Sequence, residues 1–135
     1  MPLAGLNGWA IVVAIVPTFV IGALWYSPKL FMGPWLRMTG VENERFNRGL
    51  PRALLGDLVT ATLMAVTLAL VLRGSGAASV GAGLTVTFCL WLGFMVPILF
   101  STVTYEQRPL QLFFINAGYR LACMLAMGVI LTAWK

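Results

Sequence analysis

Arg120 stands inside INAGYRL (115–121), between LQLFF and ACMLAMGVILTAW, a guanidinium about halfway along an otherwise apolar run. At the centre of a membrane helix an arginine costs about 2.5 to 3.5 kcal/mol on insertion-based scales, so it must face protein or water rather than lipid. Asp57 is the only acidic residue inside any apolar run of the chain. Counting 1.5 Å per residue from Pro109 puts the Arg120 backbone about 16 Å deep. Helical side chains lean toward their own N-terminus, so the guanidinium itself would lie about 10 Å from that face. Asp57, a little over one turn inside Ala53, falls at a similar level. The two are expected within hydrogen-bonding reach or bridged by one water. The competing partner is the carbonyl of Gly93, which Pro97 deprives of its helical donor at about the level of Arg120. Asn116, one turn earlier on the same face, could accept a bond from the guanidinium, and Tyr119 is adjacent in sequence. The cluster has two readings: a polar patch that fixes helix packing, which we prefer, and a site for an anion such as a lipid phosphate or a carboxylate.

Other chemistry is poorly provided for. The chain has no histidine, which removes the usual imidazole metal ligands and the commonest general base. Cys89 and Cys123 fall in separate apolar runs with no metal or redox spacing, and both read as small buried residues. No metal, cofactor or catalytic set is therefore expected, and the chain is not expected to be an enzyme.

Composition says which solvent these residues meet. Of 135 residues 60% are hydrophobic and only 10% charged, whereas a soluble domain carries about a quarter charged residues to solvate its surface. With a mean hydropathy of +0.91, the bilayer must be the solvent and a main partner. The net charge of +5 is no nucleic-acid footprint, because the basic residues sit between hydrophobic runs, as topogenic loop charges do.

A bilayer-spanning helix needs about 20 apolar residues, and four stretches qualify: 8–27, 53–72, 80–104 and 109–134. Trp9, Trp25 and Tyr26 flank the first at headgroup level, and Pro51 precedes the second at a permitted helix start. The expected fold is all-α: a polytopic bundle of four transmembrane helices in one membrane domain, with a short interfacial and cytoplasmic helical segment in the loop 28–52. The first half of that loop mixes Leu30, Phe31, Trp35, Leu36 and Met38 with Lys29 and Arg37, the make-up of an interfacial segment. Its second half offers Glu42 with Arg45 and Glu44 with Arg48 at helical spacing, then Gly49 as a stop, which suggests a short solvated helix.

Lys29, Arg37, Arg45, Arg48, Arg52 and Arg108 fall on one side of the four spans and Arg73 and Lys135 on the other. Both termini are therefore expected away from the cytoplasm. The first span lacks a basic n-region and a cleavage pattern, so it reads as a retained helix rather than a signal peptide. A short internal similarity, YSPKLF against YEQRPLQLF, each following a span with a proline (Pro17, Pro97), would relate two helical hairpins by an axis along the membrane normal. Small residues at spacings of four, Ala61, Ala65 and Ala69 in the second span and Gly118, Ala122 and Ala126 in the fourth, would let helix backbones approach closely.

GALWYSP (22–28), GPWLRMTG (33–40), LWLGFMVP (90–97) and INAGYRL, in this order, resemble the domain-of-unknown-function 1761 family of small bacterial membrane proteins. The resemblance implies four transmembrane helices with WYSP ending the first, and marks Trp25, Tyr26, Pro28, Trp35, Pro97, Asn116, Gly118 and Tyr119 as belonging to the characteristic stretches. It implies no activity, cofactor or catalytic residue. The expected role is a structural or accessory subunit of a homo-oligomer or larger complex in a bacterial inner membrane. The alternative is a small transporter or carrier of an anion or lipid that uses Arg120 and Asp57, with an anionic lipid as candidate ligand.

Overall fold

The computed structural model describes residues 6–27, 29–40 and 43–134. Pro28 and the expected Glu42–Arg45 pair lie outside the described residues. In chain order the elements are α1 (Gly8–Trp25), α2 (Met32–Thr39), α3 (Asn43–Ser75), α4 (Val80–Leu90), a π-helical turn (Trp91–Met95), α5 (Val96–Thr104) and α6 (Leu110–Ala133). No strand occurs among the described residues. Four helices are long and apolar enough to cross a membrane, Gly8–Trp25, Asn47–Ser75, Val80–Thr104 and Leu110–Ala133. That is the make-up of a multi-pass membrane protein.

Local chemistry sets the ends. The side chain of Asn7 accepts hydrogen bonds from the Trp9 and Ala10 amides and so caps α1, and Ser79 accepts from the Ala82 amide at the start of α4. Gly40 at φ 74° ends α2, and Gly76 at φ 71° follows the last residue of α3. Only a residue without a Cβ takes that left-handed conformation freely.

Two expectations about the loop 28–52 are corrected. Gly49 does not stop a helix, and Pro51 does not start one. The solvated segment and the second span are one 33-residue helix, about 50 Å long at 1.5 Å per residue, longer than the hydrocarbon core is thick. Gly49 does not have a positive φ, and Pro51 deprives only the carbonyl of exposed Asn47, which water can satisfy. Glu44 and Arg48, both exposed, form no ion pair among the described residues.

α6 is the axis of the bundle. It packs against α1, α2, α3, α4, α5 and the π turn, and Ile115, Ala117, Tyr119, Cys123, Met127 and Leu131 are among its buried residues. The stripe Ala61, Ala65, Ala69 of α3 is buried as expected and meets Ala10 and Ala14 of α1. In the expected α6 stripe Gly118 lies close under the Trp25 ring, and Ala122 and Ala126 are half-buried; a tighter α6 seam lies against α4. There a Cβ on Gly83 would collide with the Thr132 side chain, and one on Gly128 would come within 2.6 Å of Thr87 Oγ1. Because the helices are antiparallel, the two glycine–threonine pairs interlock reciprocally one turn apart.

Cys123 is buried but Cys89 is exposed. Thr87 points inward, and two residues further along a helix is about 200° around it, so Cys89 takes the outer face. The suggested repeat finds no counterpart in the environments: Tyr26 is half-buried and hydrogen-bonded, whereas Tyr105 is 88% exposed.

Candidate functional site

The stretch 115–120 is where the helices meet. The indole N–H of Trp25 donates to the Ile115 carbonyl at 2.9 Å, and that of Trp91 donates to the Ala117 carbonyl at 2.9 Å. The Tyr26 hydroxyl donates to Asn116 Oδ1 at 2.7 Å, and the Tyr119 hydroxyl donates to the Thr18 carbonyl at 3.0 Å. Gly118 lies under the Trp25 ring, where a Cβ would be 3.0 Å from Cζ2. Gly22, in turn, leaves room for the Tyr119 hydroxyl, 3.1 Å from where its Cβ would be. In a bilayer interior no water is at hand to satisfy such donors, so each aromatic is held by the partner its polar atom finds.

Further rings close the site on the α2 side. Tyr26 meets Trp35 and Tyr119 edge-on, with centroids 5.9 and 5.1 Å apart, and Trp25 meets Phe31 at 5.1 Å. α2 thereby folds back onto the end of α1 and onto α6.

Arg120 and Asp57 do face one another, with Nη2 and Oδ1 3.9 Å apart and side chains 25% and 27% exposed. That is an ion pair, longer than the hydrogen-bonding distance expected. Among the described residues, no oxygen accepts a hydrogen bond from the guanidinium. Its remaining neighbours are Met64 Sδ, 3.9 Å from Nη1, and the face of Tyr119, 5.0 Å from ring centroid to Cζ. One expectation is corrected here. Asn116 is not the support of Arg120: no hydrogen bond joins them, and its oxygen accepts from Tyr26 instead. The Gly93 carbonyl, the alternative partner to Asp57, has no bond to Arg120.

Magnitudes show how far the pair falls short. Attraction at 3.9 Å returns about 4 kcal/mol at an effective dielectric of about 20. Placing an arginine and an aspartate deep in a membrane costs up to about 2.5 to 3.5 kcal/mol each. The pair offsets most of that cost and leaves donors and acceptors in hand.

Beside the pair runs an apolar groove of about 440 Å³, a volume within the ordinary range of ligand sites. α3 forms one wall with Met64, Thr67 and Val71, the α4–α5 span the other with Phe94 and Ile98, and α6 the floor with Met124 and Met127. The π turn lies in the second wall. Pro97 has no N–H to give, and just before it the Val96 amide reaches back to the Trp91 carbonyl, widening the helix by one residue. Arg120 and Asp57 are not among the residues lining the groove, but Met64, which is, lies 3.9 Å from Arg120, and Met124, also in the lining, is one turn beyond Arg120 on α6.

Sequence reasoning missed Trp91, Thr18, Gly22 and Met64. Trp91 carried a signal, since its indole N–H lies deep in a span where water cannot satisfy it. The others are ordinary membrane-helix residues until a crossing geometry is known. Among the described residues no group of His, Cys, Asp and Glu is disposed to hold a metal ion.

No curated protein and no solved structure matches the chain. Residues 9–132 match the family described as "Protein of unknown function (DUF1761)", and the chain belongs to that family.

Proposed function

We propose that the protein is a structural or accessory subunit of a membrane assembly or homo-oligomer in a bacterial inner membrane, with both termini away from the cytoplasm. One observation carries this reading. Residues of the first, third and fourth family stretches spend their polar atoms on one another, with Trp25, Tyr26 and Trp91 all donating into residues 115–117 of α6. Such residues specify how helices pack, and they leave an outer surface of apolar side chains such as Val16, Val20, Leu55 and Val59 for neighbours in the bilayer. Native mass spectrometry of the protein released from its own membrane should show it in multiple copies or with a stoichiometric protein partner. Single copies with no protein partner would sink this reading.

A second reading, a small carrier of an anion or lipid, is favoured by a groove whose lining residue Met64 touches the loosely paired Arg120. It expects Arg120→Leu to abolish flux across vesicles while leaving folding intact. In neither reading does the cluster have a catalytic role.

A further inference from the structure

We propose that the groove and the Arg120–Asp57 pair together hold one phospholipid whose headgroup carries both a phosphate and a primary ammonium. The phosphate sits on Arg120, the ammonium on Asp57, and an acyl chain lies along the methionine-lined groove. The inference rests only on the lipid site of the second reading, and requires neither transport nor oligomerisation.

Charge selects this headgroup. The site holds one guanidinium and one carboxylate. A simple anion would leave it with a net negative charge in a poorly solvating environment, whereas a zwitterion leaves it neutral. Both protein charges have capacity to spare: at 3.9 Å they share no hydrogen bond, and no other hydrogen bond to an oxygen or nitrogen engages either side chain among the described residues. A guanidinium offers a fork of donors that suits phosphate, and a carboxylate accepts from an ammonium that still carries hydrogens. A trimethylated ammonium has none to give.

Shape agrees with charge. The groove runs away from the pair along α3, from Met64 past Thr67 and Leu68 to Val71, so a lipid with its head at Arg120 would run its chain through the middle of the bilayer into the far half. Asp57 lies about 8 Å along α3 from Arg52 at 1.5 Å per residue. The head would thus be drawn below the surrounding headgroups, as polar groups are around intramembrane charges. Methionine side chains on wall and floor adapt to a flexible chain.

The test offers the purified full-length protein an equimolar mixture of phosphatidylethanolamine, phosphatidylcholine and phosphatidylglycerol, and reads bound lipid by native mass spectrometry. The wild type should retain phosphatidylethanolamine over each of the others by about tenfold, the fold-change of one charge-assisted hydrogen bond. Asp57→Asn should shift the preference to phosphatidylglycerol, because the site then carries an uncompensated positive charge. Thr67→Trp, placed on an exposed groove position, should reduce retention of all three while the thermal unfolding of the protein in detergent stays unchanged. Equal retention of the three lipids by the wild type, a wild-type preference for phosphatidylglycerol, or a preference that Asp57→Asn leaves unmoved would each overturn the proposal.

Discussion

At the scale of single residues, the charges were the most legible feature of the chain and their hydrogen bonds the least. A lone carboxylate and a lone guanidinium inside apolar spans have few other places to go, and depth counting brought Asp57 and Arg120 together. Asn116 was assigned to Arg120 by helical spacing alone. The competing donor, the Tyr26 hydroxyl, comes from another helix, and only the crossing of α1 over α6 brings it within 2.7 Å. The ion pair makes a signed prediction. Asp57→Leu leaves a guanidinium unpaired and should destabilise the protein by about 1 to 3 kcal/mol, below the usual cost of breaking a fully buried pair because each side chain is only partly buried. Asp57→Leu with Arg120→Leu removes both charges and should recover most of that loss in detergent unfolding; a double variant worse than the single would show that the charges are not coupled. Tyr119→Phe should cost about 0.6 kcal/mol, a typical interhelical hydrogen bond in a membrane protein, with the ring packing against Tyr26 retained.

At the scale of elements, the interlocked seam between α4 and α6 gives the sharpest expectation. Gly83→Ala drives a methyl into the Thr132 side chain, and Gly83 is packed against it too closely for a small adjustment. Overpacking of this kind costs about 1 to 3 kcal/mol. Thr132→Ala alone should be tolerated, since its hydroxyl is buried without a hydrogen-bond partner among the described residues. Introduced with Gly83→Ala, it should recover part of the lost melting temperature, as measured by unfolding in detergent, since the residue 132 Cβ still lies 3.0 Å from the new methyl; no recovery would place the strain elsewhere. The spans themselves could be read from hydropathy because each is a long apolar run between polar connections. The continuity of α3 through Gly49 and Pro51 could not, because both residues are ordinary helix boundaries in isolation. Here tertiary contacts farther along hold the helix, and water takes the freed carbonyl. The π turn was equally hidden. Pro97 signalled a disturbed helix, but whether it kinks, breaks or widens depends on the anchor that Trp91 finds on α6.

At the scale of the whole molecule, the arrangement follows from which helix is surrounded. α6 carries the family stretch with the most polar atoms and also the largest share of buried residues among the four spans, so the helix that would be least comfortable in lipid is the one the others enclose. The proposed orientation rests on charge. Lys29, Arg37, Arg48, Arg52 and Arg108 lie toward one end and Arg73 toward the other, and basic residues near span ends are retained on the cytoplasmic side. The long α3 adds to the asymmetry, since its N-terminal turns carry Arg48 and Arg52. Single cysteines introduced into a background lacking Cys89 and Cys123 can read the outcome. A cysteine at exposed Ser79 should react in intact cells with a membrane-impermeant maleimide, and one at exposed Glu106 should react only after the membrane is opened. The reverse pattern would show that another determinant overrides the basic residues, and it would place the Arg120 end of the groove in the outer leaflet.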